Sequence, residues 1–213
     1  MSTVIDVRSD PQAGIDRALD AIAAGQCIVL PTDTVYGIGA DALSASAVQR
    51  LLDAKQRGRD MPPPVLIAEP VMLRSLAATV TPEALMLAEL FWPGALTLVV
   101  SSQPNLRMDL GDRGDTIAVR IPDHEFTRDL LRATGPLAVS SANTHGNPAA
   151  TTAAEALDQL GDSVAVYLDA GAGSSPVPST IVDLSGENPR ILREGRVTRA
   201  DLARVLPGLA DVG

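Results

Sequence analysis

Several things are scarce in this chain, and each scarcity closes a route. A single cysteine, Cys27, in 213 residues cannot close an internal disulfide, so the fold must stand on its apolar core. Two histidines, His124 and His145, beside that one thiol do not supply the ligands of a His/Cys zinc centre. Aromatics make up 2% of the chain: Tyr36, Phe91, Trp92, Phe126 and Tyr167. They are too few for a base-stacking platform, and they leave the core to Ala, Val, Leu and Ile. Positive charge is also short, 17 Lys and Arg against 26 Asp and Glu, a net charge of −9. That balance opposes a surface built for general nucleic-acid binding, although it leaves room for a local basic pocket. Uncharged apolar runs such as Ala95-Leu96-Thr97-Leu98-Val99-Val100 fall far below the roughly 18 residues of a membrane span. Residues 1–10 lack the basic-then-apolar pattern of a secretory signal. The expectation is a cytoplasmic protein without membrane contact.

What is present is the composition of a folded chain, 46% hydrophobic and 20% charged, at a length that fits one domain. Short Val/Ile/Leu runs predict strands at residues 4–7, 26–30, 65–68, 96–101, 116–121, 137–140, 164–169, 180–184 and 190–193. Ile15, Ala18, Leu19 and Ile22 predict a helix over residues 14–24, ended by Gly25. Ser44 or Ser46 caps a second helix that ends near Lys55. Thr81-Pro82-Glu83 opens a helix to about Leu90, and Asp123 opens another to about Ala133. Thr152 with Glu155 fits a capping box, and Thr198 with Asp201 caps a last helix that Pro207-Gly208 ends. Strands and helices do not alternate strictly, so the expected class is α/β with a mixed sheet.

Chemistry concentrates in a few loops. Pro31-Thr32-Asp33-Thr34-Val35-Tyr36-Gly37-Ile38-Gly39-Ala40-Asp41 follows a fully apolar strand. Its hydroxyls and glycines suit a ligand loop, and an ordinary strand-to-turn connection is the plainer reading. Gly37-x-Gly39-x-x-Ala42 matches a dinucleotide fingerprint weakly, because no apolar strand directly precedes the first glycine. No Gly-x-x-x-x-Gly-Lys-Ser/Thr occurs, which excludes a P-loop. Lys55-Gln56-Arg57-Gly58-Arg59-Asp60 places three cations at a helix end. They serve either the helix dipole or an anionic ligand. Ser140-Ser141-Ala142-Asn143 follows a strand, where small polar groups favour a ligand site. Ser141 with His145 lacks the Gly-x-Ser-x-Gly elbow of a hydrolase nucleophile. On the strand at 116–121, Thr116, Ala118 and Arg120 share one face, and Ile117, Val119 and Ile121 share the other. A guanidinium on such a strand needs a carboxylate, either internal or on a ligand. Cys27, inside an apolar run, reads as an inert core thiol.

Four separated motifs resemble, in order, the YrdC-type threonylcarbamoyl-AMP synthase family in its short, single-domain form. They are Pro31-Thr32-Asp33-Thr34-Val35-Tyr36-Gly37-Ile38-Gly39-Ala40; Lys55-Gln56-Arg57; Ser140-Ser141-Ala142-Asn143-Thr144-His145-Gly146; and Ser179-Thr180-Ile181-Val182-Asp183 followed by Leu192-Arg193-Glu194-Gly195. The resemblance covers about residues 10–205 of a single domain spanning 1–213. It implies a twisted mixed α/β sheet with flanking helices and a deep, positively lined central cavity. It also implies a reaction: L-threonine, bicarbonate or CO2, and ATP give L-threonylcarbamoyl-AMP and pyrophosphate. A downstream transferase complex would pass the threonylcarbamoyl group to tRNA, so tRNA is an indirect partner. Mg2+ would accompany ATP, held by phosphates and water.

Carried over residue by residue, the resemblance implies that Thr34, Arg120, Ser140 and Ser179 bind L-threonine. Lys55, Arg57, Arg59, Thr116, Ser141, Asn143 and Arg193 would bind ATP, with Lys55 and Arg57 as the catalytic pair. No protein metal ligands are expected. The expectation for Arg120 is a guanidinium left partly unpaired until the substrate carboxylate arrives. Three positions depart from the family pattern. Met61-Pro62 stands where Asn-Pro is common, Ala68 stands at a histidine position, and Ala149 stands at a serine position. Two other readings stay open: a same-fold paralogue of different carbamoyl-adenylate specificity, and an RNA-binding module without catalysis.

Overall fold

The computed structural model describes residues 2–112, 114–173, 175–206 and 209. Ten strands form one sheet: β1 (Thr3–Asp6), β2 (Ile28–Leu30), β3 (Gly37–Asp41), β4 (Val65–Leu66), β5 (Leu96–Ser101), β6 (Thr116–Arg120), β7 (Leu137–Ser141), β8 (Val166–Asp169), β9 (Thr180–Asp183) and β10 (Arg190–Arg193). Their spatial order is β1-β8-β2-β3-β7-β4-β6-β5-β9-β10. Pairs β1/β8, β2/β8, β4/β6 and β5/β9 are parallel, and the other five are antiparallel, so the sheet is mixed as expected. The helices are α1 (Pro11–Ala23), α2 (Ala45–Ala54), α3 (Leu73–Leu76), α4 (Pro82–Phe91), α5 (Glu125–Thr134), α6 (Ala153–Leu160) and α7 (Arg199–Ala203). No helix is long and apolar enough to cross a membrane among the described residues.

Local chemistry sets the helix starts. Ser44, Thr81 and Thr152 each accept the backbone N–H three residues on, as their sequence positions predict. Glu155, however, reaches back to the Thr151 N–H rather than to that of Thr152, so the predicted capping box is incomplete. Thr198 and Asp201 do form a complete one. Two starts differ from expectation. Helix α1 begins at Pro11, because Asp10 accepts from the Ala13 N–H and proline suits the first turn. Helix α5 is capped by His124 rather than Asp123, whose N–H is taken by the Asp33 carboxylate. The expected stop at Pro207-Gly208 lies outside the described residues.

Two apolar layers sandwich the sheet. On β2, Val29 faces the larger cluster, while Ile28 and Leu30 face a smaller one with Ala18 and Ile22 of α1 and Leu130 and Leu131 of α5. Both faces are covered there, which is why the strand is uniformly apolar. Among the described strands, the smaller cluster takes buried residues from β8, β2, β7 and β4, with Ile5 of β1 packed against it. Strand β3, absent from the sequence expectation, runs through residues read as a loop. Glycine makes it possible: a Cβ on Gly37 would lie 2.5 Å from Val139 Cγ1 on the neighbouring strand β7.

Candidate active site

A cleft of about 540 Å³ opens where the helix cover ends. Its floor is the uncovered face of β6, β5 and β9. Strand alternation turns Leu96, Leu98 and Val119 into the large core cluster and points Thr97, Val99, Thr116, Ala118, Arg120 and Ile181 into the cleft. The sequence reading of the β6 face is the geometry found for Thr116, Ala118, Val119 and Arg120, while Ile117, read as facing the core, belongs to the core cluster and also borders the cleft. Around the floor stand Thr32 and Thr34 from the β2–β3 turn, Arg57 and residues 61–64 after α2, and Ser140, Ser141 and Asn143 at the end of β7. Ser179 and Arg193 close the far side. One wall is apolar, built by Pro62, Pro63, Pro64, Leu66 and Leu110.

Charge is what sets this cleft apart. Three guanidinium groups, Arg57, Arg120 and Arg193, line it, and no carboxylate does among the described residues. In a chain of net charge −9 that is a strong local inversion. Burial pushes the Arg193 guanidinium down, and the nearby charges of Arg120 and Arg57 push it further. Burial lowers Arg57 as well, with Asp60 opposing. Arg57 Nη1 donates to Ser140 Oγ at 3.0 Å, and its Nε is buried without a hydrogen-bond partner among the described residues. A second cavity, of about 520 Å³, lies near α1 and the start of β2; there Arg17 and Arg50 face Asp20 and Asp162, so its charges balance.

Arg120 differs from expectation. It is paired in the empty protein: Nη2 to Asp33 Oδ1 at 2.6 Å, Nη1 to Thr34 Oγ1 at 3.1 Å and Nε to Gly94 O at 2.9 Å. The Asp33 and Arg120 side chains are 9% and 8% exposed. The internal carboxylate comes from the turn at 32–35. Thr32 Oγ1 accepts the Thr34 N–H at 3.1 Å and donates to Val35 O at 2.7 Å, and Asp33 meets β6 across that turn. Three of five guanidinium donors are used in these contacts, and Arg120 still lines the cleft.

Ser179 is fixed from two sides. Its Oγ lies 2.9 Å from Thr97 Oγ1, and Arg193 Nη2 donates to its carbonyl at 2.7 Å and to its Oγ at 3.2 Å. Sequence reasoning missed Thr97. Its signal was a hydroxyl in an otherwise apolar strand, at a position with the parity of the cleft face. It missed Asp33 as a partner of Arg120 too, although the residue sits in the quoted motif.

Thr34, Arg57, Thr116, Arg120, Ser140, Ser141, Asn143, Ser179 and Arg193 all lie on this one lining. Lys55 and Arg59 do not. Lys55, the chain's only lysine, is 2% exposed. Its ammonium donates to Ser141 O at 2.5 Å, Asn143 O at 2.7 Å and Asn143 Oδ1 at 3.3 Å. Its three donors hold the loop that carries two lining residues. Burial, and then the Arg57 charge, lowers the Lys55 ammonium to about 8. Arg59 turns outward, with Nη2 2.5 Å from Asp109 Oδ1. Of the departing positions, Met61, Pro62 and Ala149 line the cleft, whereas Ala68 is buried in the α1/α5 layer. Gly37 and Gly39 lie within β3 rather than at a strand-to-helix turn, which removes the dinucleotide fingerprint.

Comparison with known proteins places the chain by sequence and by fold. A family model, Sua5/yciO/yrdC, described as telomere recombination, matches residues 20–195. A Mycobacterium tuberculosis relative is 51% identical over 201 residues, 93% of each chain. The threonylcarbamoyl-AMP synthase of Pyrococcus abyssi is 36% identical over 208 residues, which are 97% of this chain and 61% of that one. The crystal structure of Pyrococcus abyssi Sua5 complexed with L-threonine superposes with a TM-score of 0.93 at 33% identity. It covers 100% of this chain, which spans 62% of the archaeal one. Matched through its core and in its fold, the chain belongs to the Sua5/YciO/YrdC family.

Proposed function

We propose that this protein is an L-threonylcarbamoyl-AMP synthase. The carrying observation is the cleft lining, with three guanidiniums, no carboxylate among the described residues and an apolar wall beside them. That combination suits a triphosphate with a base, and it suits a carboxylate-bearing amino acid. The names of the relatives support the same reading. Threonine first takes up CO2 on its amine, losing a proton, or takes up bicarbonate with loss of water. An oxygen of the resulting carbamate attacks the α-phosphorus of ATP in line, a P–O bond forms, and the bond to the β,γ-pyrophosphate breaks.

The chain's residues have separate tasks in this scheme. Arg120 receives the threonine carboxylate on its remaining donors, and Thr34, Ser140 and Ser179 offer hydroxyls to the amino acid. Arg57 and Arg193 offset phosphate charge as pyrophosphate departs, with Thr116, Ser141 and Asn143 on the nucleotide. Pro62–Pro64, Leu66 and Leu110 face the base. Lys55 acts through the 141–143 loop and is a positioning residue. No group of three or more His, Cys, Asp or Glu forms a metal cluster among the described residues. The hydroxyl and amide oxygens of the lining are compatible with Mg2+ that enters on the triphosphate, where it would neutralise the leaving pyrophosphate. The product would pass to a downstream transferase complex acting on tRNA in the cytoplasm.

The decisive experiment is incubation with ATP, bicarbonate and a panel of amino acids, reading pyrophosphate and the adenylate by mass. Pyrophosphate release requires both L-threonine and bicarbonate. Equal turnover with glycine, or none with threonine, would sink the reading in favour of a paralogue of other specificity. Tight, salt-sensitive binding of unmodified tRNA without ATP turnover would make the protein an RNA-binding module instead.

Lys55 gives a pH-dependent prediction. A triphosphate beside Arg57 favours the charged ammonium, so the bound-state midpoint rises above about 8. Binding then takes up protons, and ATP affinity is full below pH 8 and declines as pH rises past it. Because there is one lysine, its ε-carbon gives one NMR titration curve. A midpoint that ATP leaves unmoved would separate Lys55 from the phosphate site.

A further inference from the structure

Arg59 belongs to the basic cluster that drew attention in the sequence, yet the cleft does not use it directly. It sits between two walls. On its own segment stand Arg57 and residues 61–64; across from it runs the segment 102–112 after β5, which contributes Leu110 to the lining. Arg59 ties the two together. Nη2 meets Asp109 Oδ1 at 2.5 Å and Nε lies 3.7 Å from Asp112 Oδ1. Nη1 donates to Gln49 Oε1 of α2 at 3.2 Å. The Asp112 N–H donates to the Arg59 carbonyl at 2.8 Å. Gly111 lets the backbones meet. Its φ is +116°, and a Cβ there would stand 2.5 Å from Arg59 O.

We infer that Arg59, Asp109 and Gly111 form a latch that positions the apolar wall and Arg57 for the nucleotide. The latch residues act through others and touch no ligand. The inference rests on the reading of the cleft as a nucleotide site. It makes a prediction that electrostatics alone reverses. Asp109→Ala deletes a negative charge about one residue from the lining. If Arg59 bound ATP directly, or if only net charge mattered, removing that carboxylate would tighten ATP binding. A latch makes it weaker.

The test measures ATP dissociation constants, kcat and KM on the full chain, together with hydrogen–deuterium exchange of segment 103–112. Arg59→Ala and Asp109→Ala each weaken ATP binding about three- to fivefold, the range that partly exposed ion pairs allow. The loss in their double mutant falls short of the sum of the two, because both break the Arg59–Asp109 contact, while Arg59→Ala also gives up Asp112 and Gln49. Arg59→Lys falls between them and wild type, since an ammonium keeps the charge but not the fork. Gly111→Ala forces strain and a backbone clash, and weakens binding roughly tenfold. In every case KM for ATP rises, kcat and threonine affinity stay close to wild type, and exchange in 103–112 quickens. Unchanged or tighter ATP binding by Asp109→Ala overturns the latch, as does unchanged exchange in Arg59→Ala. If wild type itself binds no ATP, the proposed function falls, and the exchange rates alone decide whether the latch holds the loop.

Discussion

Arg120→Met lowers stability by about 3–5 kcal/mol and weakens threonine binding, and adding Asp33→Asn restores the stability but not the binding. The argument starts from burial. Both side chains of the pair are less than a tenth exposed. Deleting the guanidinium takes from the buried Asp33 carboxylate the Arg120 group 2.6 Å away, and breaking a buried ion pair from one side is far costlier than the intact pair was beneficial. For a chain of this length the loss lowers Tm by about 10 °C. Asparagine at 33 keeps an acceptor for the Asp123 N–H and carries no charge, so the double variant has no orphaned ion. It still lacks the guanidinium proposed to meet the substrate carboxylate. Thermal melts of the empty proteins and calorimetric threonine titrations separate the two roles. Wild-type melting of Arg120→Met, or recovery of threonine affinity in the double variant, would refute this account. The sequence alone suggested a small stability cost, because it could not show that Asp33 lies across a turn and 87 positions away in the chain from its partner.

The same contrast holds across the fold. Period-two patterning identified the cleft face of β6, since a strand buried on one face and lining a cleft on the other must alternate. Residues 31–36 and 140–143 announced themselves as polar stretches after apolar strands, whereas Ser179 came only with the family motifs, and all three segments reach the cleft. Strand β3 was illegible for a physical reason. Gly37 and Gly39 read as loop residues by composition, and only the close approach of Val139 and Leu30 from neighbouring strands explains them. The basic cluster was legible as a cluster but not in its directions. One of its three cations enters the cleft, one holds the 141–143 loop and one clasps a neighbouring loop. Sequence spacing cannot separate these, because the chain leaves the helix through a left-handed residue.

That exit underlies the last prediction: Arg57→Ala weakens ATP binding about 10- to 150-fold and leaves threonine binding and empty-protein stability nearly unchanged. Helix α2 ends with Gln56 at φ +53°, its N–H on Asp53 O and the Arg57 N–H on Leu52 O. This closing turn sends Arg57 away from the helix axis and toward Ser140. The side chain therefore does not serve the helix carbonyls, as a dipole-capping cation would. It lies half-buried with an unpartnered Nε and near the like charge of Arg193, a costly arrangement unless an anion is to come. A hydrogen bond to a charged group contributes about 1.5–3 kcal/mol, which is the range of affinity loss stated. Arg57→Lys recovers part of it, because an ammonium supplies the charge without the fork. Calorimetry with ATP, and separately with threonine, reads both affinities, and a thermal melt reads the fold. If Arg57 served the dipole, the melt would drop by about 0.3–1 kcal/mol equivalent with ATP affinity intact. That outcome would remove Arg57 from the phosphate site and leave Arg193 as the cation facing pyrophosphate.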